Sequence, residues 1–517
     1  VTVLGPAMSA IDQRLRTGEF PDDPVAPAEL AASAVPVVPL GGAALRWIGS
    51  GLAEVGLTAG APVTWDQHGM ARDLMSGRDP RTGRQLVAPA MRTHPDAMLP
   101  AAPLLQVLVE RAERHGLTVP DSLIGNQWAA QRALRLQRAL ERRGPGLRLP
   151  VDEARRLAAA AGTGLERLYD AQQIACALRE RTRRVRIGNR GYELLFDLPK
   201  SISVLYGLAD APLAEQILDA FTIAVHDAVE ALSGWAGYGL RGKNGEGHRA
   251  RRMPGTGLLG WVRFGQTAHA VDGQVPDPHL HARVVIANMV RGQDGRWSAP
   301  GSGGRDVYRH ALAADRVVKA RLRRLLIERC GITWEVAPVT GAWEISRIPA
   351  HLRDRFSKRR NRVAAYLNEH GHDPATAETG ARAAARLHTV EELTASAAPH
   401  RLRQAWRQQS RDLGVDPRAL VAACLTGSRT PPPVPPADQL AAQVFAAPLD
   451  TDTDTDPSIW SRAQVLAAVI DALPGGLAAA SDAEHLVRQV VNCPGVVALP
   501  TAAASTLTNH ERYTVAF

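Results

Sequence analysis

Two histidines stand two residues apart in "PHLHARVV", His279 and His281, with Arg283 next in the same alternation. Alternate residues of a strand point to one side of a sheet, so all three would share a face. Two imidazoles so placed, with a third donor across a loop, suit a divalent metal. His269 is the nearest candidate for that donor. An arginine in the same line does not fit, because a guanidinium repels a cation and has no lone pair to give it. It does fit a phosphate, which it grips with paired hydrogen bonds.

The elements that must position these residues are legible from periodicity. "GLLGWVRF" (Gly257–Phe264) and His281–Val290 read as strands; "GYELLFDLPKSISVLYGL" (Gly191–Leu208) reads as a strand, a turn and a helix starting near Ser201. Amphipathic helices are expected over 65–75, 102–116, 127–142, 151–186 (interrupted by "AAGTG"), 213–235, 307–330 and 353–368. "ITWEVAP" and "AWEIS" form a hairpin around Gly341. "GSRTPPPVPPADQ" (Gly427–Gln439) is a Pro-rich linker, and "DTDTDTDP" (Asp450–Pro457) is a low-complexity tract expected to be disordered. Helices follow at 461–473 and 483–491.

The 517 residues carry a formal charge of +9, and 57 of the 61 basic side chains are arginine, the lysines being Lys200, Lys243, Lys319 and Lys358. GC-rich coding accounts for the ratio; the net positive charge favours a nucleic-acid partner. Four scattered cysteines and no CxxC pair argue against a disulfide framework or a zinc knuckle. No signal peptide and no apolar run of membrane length is seen, so a cytoplasmic location is expected. The opening Val1 is read as a non-Met start codon or the scar of a truncation.

Four longer motifs give a resemblance. "LPKSISVLYGLAD", "DGQVPDPHLHARVVIANMV", "DGRWSAPGSGGRDVYRHALAAD" and "FSKRRNRV" resemble, in order and spacing, the relaxase domain of the TrwC/TraI (MobF) family, especially its actinobacterial members. "SIWSRAQVLAAVIDALPGG" and "ERYTVAF" resemble the segment that leads from a relaxase into a helicase. The resemblance implies an α/β (α+β) fold: an HUH-type antiparallel sheet flanked by helices, with long helical insertions and a small helical C-terminal segment. It divides the chain into a relaxase-like domain (1–385), a helical connector (386–426), a linker (427–457) and the start of a truncated helicase-associated segment (458–517). It implies conjugative transfer of a plasmid or integrative element, with single-stranded or hairpin DNA at an origin of transfer as partner. A tyrosine near the N-terminus would attack a phosphodiester, and a divalent metal (Mg, Mn or Zn) held by three histidines would polarise the phosphate.

The chain departs from that pattern. Against the family's His-x-x-x-Arg, "FGQTAHAVDG" puts Gly265 at the first ligand and His269 at the arginine. Against Pro-His-Leu-His-Ala-His, His281 is kept and Arg283 replaces its partner. No tyrosine precedes Tyr169, and in "MSAIDQRLRTGE" Gln13 occupies the expected nucleophile position. Glu193 aligns with the family's first-strand carboxylate. Lys200, Ser201, Arg283, Lys358, Arg359 and Arg360 are the candidate DNA contacts; Lys200 and Ser201 read equally as a structural turn, and the Lys358 run as a solvated helix face. Trp261 and Trp297 read as core, and His310 as a helix-surface residue. The leading expectation is a DNA-binding relaxase relative with a degenerate site and no cofactor. The alternatives are an active relaxase with His269, His279 and His281 as rewired ligands, and an unrelated metal hydrolase. A separately encoded helicase or coupling protein would be a further partner.

Overall fold

A computed structural model describes residues 1–15, 45–123, 125–143, 146–186, 188–242, 251–268, 274–338, 340–374, 376–378, 381–382, 384–385, 399–446, 458–499 and 511–515, the side chains of 141–143 excepted. His269 and the Asp450–Pro457 tract lie outside these residues. The chain divides into two compact units, residues 89–188 and the remainder.

The larger unit is organised by a fully antiparallel five-stranded sheet. Its strands are β1 (Thr2–Leu4), β2 (Arg46–Ile48), β3 (Gly191–Asp197), β4 (Gly260–Thr267) and β5 (Pro278–Ala287), in spatial order β1-β3-β5-β4-β2. The central strand β5 begins at Pro278, three residues earlier than expected, so His279 is already in the sheet. It ends at Ala287 rather than at Val290. A proline is tolerated at the first residue of a strand, where no ladder N–H is required.

Alternation decides which face each residue joins. On one face Tyr192, Leu194, Phe196, Val262, Phe264, Ala282, Val284 and Ile286 are buried in one cluster. On the other face, helices α1 (Ser9–Leu15) and α2 (His68–Met75) bury Ile11, Leu15, Leu74 and Met75 in a smaller cluster with Trp47, Trp261 and Val285. Helix α3 (Lys200–Leu208) follows β3 directly. Helix α4 (Ala211–Ala236) is capped by Asp210, whose carboxylate accepts from the Leu213 amide at 3.1 Å. Its buried residues recur at helical spacing: Leu213, Ile217, Ala220, Phe221, Ala224, Ala228, Leu232. They belong to the first cluster, with the buried residues of α5 (Ala311–Cys330). Each fully buried Leu, Ile or Phe contributes about 1.5–3 kcal/mol.

The helix expected over 307–330 is broken at His310, and that over 353–368 at Phe356–Ser357, where α6 (Lys358–Glu369) begins. Helix α7 (Pro399–Asp412) packs Trp406 against Gly207, a position without room for a side chain. Residues 427–436 are not helical, and the Gly427 amide donates to Gly331 O at 2.9 Å. Helices α8 (Arg462–Asp471) and α9 (Ala480–Val491) share the core of α4 and α5. Buried Arg323 of α5 donates from Nη2 to Leu473 O at 2.8 Å.

The smaller unit contains helices at 102–114, 127–143, 151–160 and 171–179 around Leu104, Leu108, Leu149 and Leu157. The helical stretch expected over 151–186 breaks at the expected "AAGTG", resumes over Ala171–Arg179 and stops there, and Arg184–Arg186 pairs instead as a strand with Met91–Thr93. Among the described residues no helix is long and apolar enough to cross a membrane.

Candidate functional site

The register of β5 fixes the site. His281 lies opposite Asp197 of β3 and Gly265 of β4; Arg283 lies opposite Leu195 and Arg263; Val285 lies opposite Glu193 and Trp261. Directly opposed residues of antiparallel strands share a face. One face therefore runs from a closed half at Trp261 and Val285, buried with α1 and α2, to an open half of Asp197, His279, His281, Arg283, Arg263 and Gly265. Leu195, in the middle of the open half, is 44% exposed.

Glu193 stands on the boundary and is 6% exposed. Arg14 of α1 donates to its Oε2 from Nε at 3.0 Å and Nη2 at 2.6 Å. On the other side Arg283 Nη1 lies 3.6 Å from Oε1. One carboxylate thus braces two guanidiniums. Arg283 Nε is buried without a hydrogen-bond partner, while its side chain stays 39% exposed. The sequence reading missed Arg14, although it is the arginine of the "QRL" start. Gln13 is exposed on the same helix.

The histidines form a second group. His279 Nε2 lies 3.3 Å from Asp197 Oδ1, and its ring stacks on that of His281 at 5.0 Å. His281 Nδ1–H donates to His279 O at 3.2 Å. Burial, helped by His279 and Arg283, pushes the His281 imidazole down to about 4, so it is neutral at pH 7. Burial raises the Asp197 carboxyl, but the hydrogen bond and charge of His279 outweigh this and leave it below its ordinary value.

Gly265 is more than a missing ligand. A Cβ there would lie 2.1 Å from His281 Cε1 and 2.4 Å from Nε2. The imidazole occupies the space a side chain at 265 would need. The three-histidine metal site implied by the family does not fit this arrangement. Gly265 offers no donor and Arg283 brings a positive charge. Among the described residues no three His, Cys, Asp or Glu side chains converge as ligands.

The remaining candidates are placed as follows. Ser201 is fully buried; its amide donates to Glu344 Oε2 at 3.0 Å and its hydroxyl accepts from the Ile345 amide at 2.8 Å, which ties α3 to the hairpin of 334–336 and 343–345. Lys200 Nζ donates to Pro278 O at 3.0 Å, and burial pushes its ammonium down to about 8. Lys358 donates from Nζ to Asp277 Oδ1 at 2.7 Å and to Val275 O at 2.9 Å, and its amide donates to Asp277 Oδ2. Trp406 Nε1 donates to Pro276 O at 2.8 Å. These groups clamp residues 275–278, the entry to β5, and none of the clamps was foreseen. Arg359 is half-buried; Arg360 is largely exposed and donates to Asp354 Oδ1 at 2.5 Å. Trp261 is buried and Trp297 packs on the same cluster. His310, expected at a helix surface, is 2% exposed: its Nδ1–H donates to Asp306 O at 2.9 Å and its ring stacks on Trp235.

The seven tyrosines complete the chemistry. Tyr169, Tyr192, Tyr206, Tyr238 and Tyr513 are buried. Tyr169 donates its hydroxyl to Pro100 O at 2.7 Å, and burial pushes its phenol up to about 12. Tyr366 stacks on His370. Only Tyr308 is largely exposed, and it lines a cavity with Tyr192, at the opposite end of β3 from Asp197.

The sequence model of the TrwC relaxase matches residues 40–413. No curated protein matches. Solved structures of conjugative relaxase TrwC with OriT DNA are similar. The metal-free form is 17% identical over 80% of this chain and 98% of that one, with a TM-score of 0.47. The metal-bound form is 19% identical over the same shares, with a TM-score of 0.48. TrwC with a 27-mer containing the recognition hairpin and cleavage site is 25% identical over 53% of this chain and 89% of that one, with a TM-score of 0.38.

Proposed function

Since the chain belongs to the TrwC relaxase family, we propose that it binds single-stranded or hairpin DNA at an origin of transfer through a metal-independent phosphate site and does not cut it. The carrying observation is the pair Arg14 and Arg283, braced by Glu193 at the edge of the open half-face. Two guanidiniums and one carboxylate leave a net single positive charge. The Arg283 side chain is 39% exposed, so its guanidinium can meet a phosphodiester while Glu193 holds it from one side. Neutral His281 adds no charge but walls the site over Gly265. Cleavage would require a nucleophile facing that phosphate. The carboxamide of Gln13 cannot be deprotonated for the task, and the exposed Tyr308 lines a cavity with Tyr192, which points to the other face of the sheet.

The clearest test is binding of a labelled origin hairpin with a single-stranded tail, in chelator and in Mg²⁺ or Mn²⁺. Binding should be the same in both and fall steeply with salt as counterions are released. Arg283→Ala should weaken it about tenfold, in line with losing one charge-assisted pair. No denaturation-resistant protein–DNA adduct should form. A second reading, an active relaxase rewired through His269, His279 and His281, draws on the stacking of His279 and His281 on one face. It would replace the first if the purified protein held stoichiometric metal, lost on His279→Ala, and gave a covalent adduct.

A further inference from the structure

We propose that the cavity at the start of β3 is a nucleotide subsite, with a base against Tyr308 and its phosphate on Arg305. The cavity measures about 310 Å³ and is walled by Val3, Asn189, Tyr192, Gly304, Arg305 and Tyr308. It is distinct from the Arg283 site: Tyr192 points to the opposite face of the sheet from Glu193 and Leu195, the residues Arg283 meets, and lies three residues along β3 from Leu195, about 10 Å at ~3.3 Å per residue.

The loop that forms it is held in an unfavourable conformation. Ser302, Gly303 and Gly304 are consecutively left-handed, with φ of 53°, 67° and 87°. Ser302 is the one left-handed residue other than glycine among the described residues. Such a residue costs roughly 1–2 kcal/mol, so the surroundings must enforce it. They do. A Cβ at Gly304 would lie 1.6 Å from Tyr192 Oη, so only glycine admits that ring. Tyr192 Oη donates to Gly303 O at 3.0 Å. One turn on, Tyr238 Oη donates to Asp306 Oδ2 at 2.5 Å, and Asp306 is fully buried.

The short helix that follows the fixed loop, Arg305–Arg309, offers two side chains outward. Tyr308 is 61% exposed, the most open tyrosine of the chain's described residues. Arg305 is exposed and has no side-chain partner among the described residues. An aromatic face, an uncommitted guanidinium, an amide at Asn189 and an apolar wall at Val3 are the set that recognises a nucleotide: stacking for the base, a fork for the phosphate. A cavity of this size also falls within the range of small-ligand sites. The nucleotide can be one unit of a single strand or a free mononucleotide, and the same chemistry serves both.

The full chain is tested against two probes, a fluorescent oligothymidylate carrying one photoreactive 5-iodouracil and free dTMP at millimolar concentration. Crosslinks should map to residues 305–309. Tyr308→Ala and Arg305→Ala should each weaken oligonucleotide binding about tenfold, the scale of one lost stacked base. Tyr308→Phe, which keeps the ring and controls for folding, should stay within about twofold of wild type. Competition by dTMP would assign the site to a free nucleotide; crosslinking without competition would assign it to a strand. Unchanged affinity for both probes in Tyr308→Ala and Arg305→Ala, or crosslinks that avoid 305–309, would overturn the proposal. Arg283→Ala separates the two sites. If it leaves DNA binding intact while Tyr308→Ala does not, the phosphate site of the preceding subsection fails and this one stands.

Discussion

The two halves of one sheet face share strands and register yet differ completely in content. At the closed half Trp47, Trp261 and Val285 are at most 2% exposed. One alternation along β5 and β4, their neighbours are Arg283 and Arg263. The change coincides with the boundary of the cover given by α1, and at that boundary stands Glu193, holding Arg14 of α1 and Arg283 of β5 at once. The difference shows that the open half is not a weakened core. Its polar residues are ordered by a buried carboxylate and by a clamped strand entry, an investment that pure solvent exposure would not need. The phosphate binding we propose would give that order a use.

The comparison can be broken most strongly through the core. Phe221 of α4 is fully buried and meets Phe264 edge to face at 5.4 Å. Phe221→Ala should remove about 3–5 kcal/mol from the larger unit, read by chemical denaturation. Leu195→Ala, equally apolar but on the open half-face, should stay within about 0.5 kcal/mol. A large loss at Leu195 would mean that the open half is covered, and the site reading would fail with it.

How much of this was legible beforehand follows from the same physics. The period-2 alternation put His279, His281 and Arg283 on one face, and the antiparallel sheet with flanking helices followed from the motifs. The entry to β5 was misjudged because Pro278 reads as a turn signal, yet a strand's first residue needs no donor. Arg14 escaped notice because its partner is 179 residues away, beyond any local pattern. Lys200 was read as a phosphate contact or a structural turn, and the Lys358 run as a backbone-tracking or a solvated helix face; Lys200 donates to Pro278 O and Lys358 to Asp277 and Val275 O. A charge run records how many cations there are, not which are already spent. The helix break at His310 was hidden because its imidazole satisfies the Asp306 carbonyl. The compact unit of residues 89–188 also left no trace in composition, being as helical and Arg-rich as its surroundings.

A smaller effect should come from the boundary itself. Glu193→Ala strips Arg14, whose side chain is 22% exposed, of two hydrogen bonds and leaves two guanidiniums without their shared counter-charge. A loss of about 2 kcal/mol is expected, below the 3–5 of a fully buried pair because both arginines can still reach water. Glu193→Gln should recover part of it, since an amide oxygen still accepts. If Glu193→Ala were neutral, the brace would be incidental and Arg283 would not be held for phosphate.

The smallest expected effect concerns pH. The His281 imidazole is pushed down to about 4, first by burial, then by His279 and Arg283, with Asp197 opposing. In the unfolded chain it would titrate near 6.5. Between these values the unfolded state binds more protons than the folded one, so this residue's contribution to stability is intact above about pH 6.5 and is lost as pH falls toward 4. His281→Gln removes that dependence while keeping a polar group over Gly265. Melting points of the two proteins from pH 7 to pH 4 should therefore converge on acidification, by on the order of a few degrees. Parallel curves would show that His281 titrates normally, as a solvent-facing imidazole would, and would reopen the face for metal. Convergence would instead mark it as the neutral wall beside Arg283, because a ring that stays uncharged at pH 7 adds no repulsion to that guanidinium and leaves it free to attract phosphate.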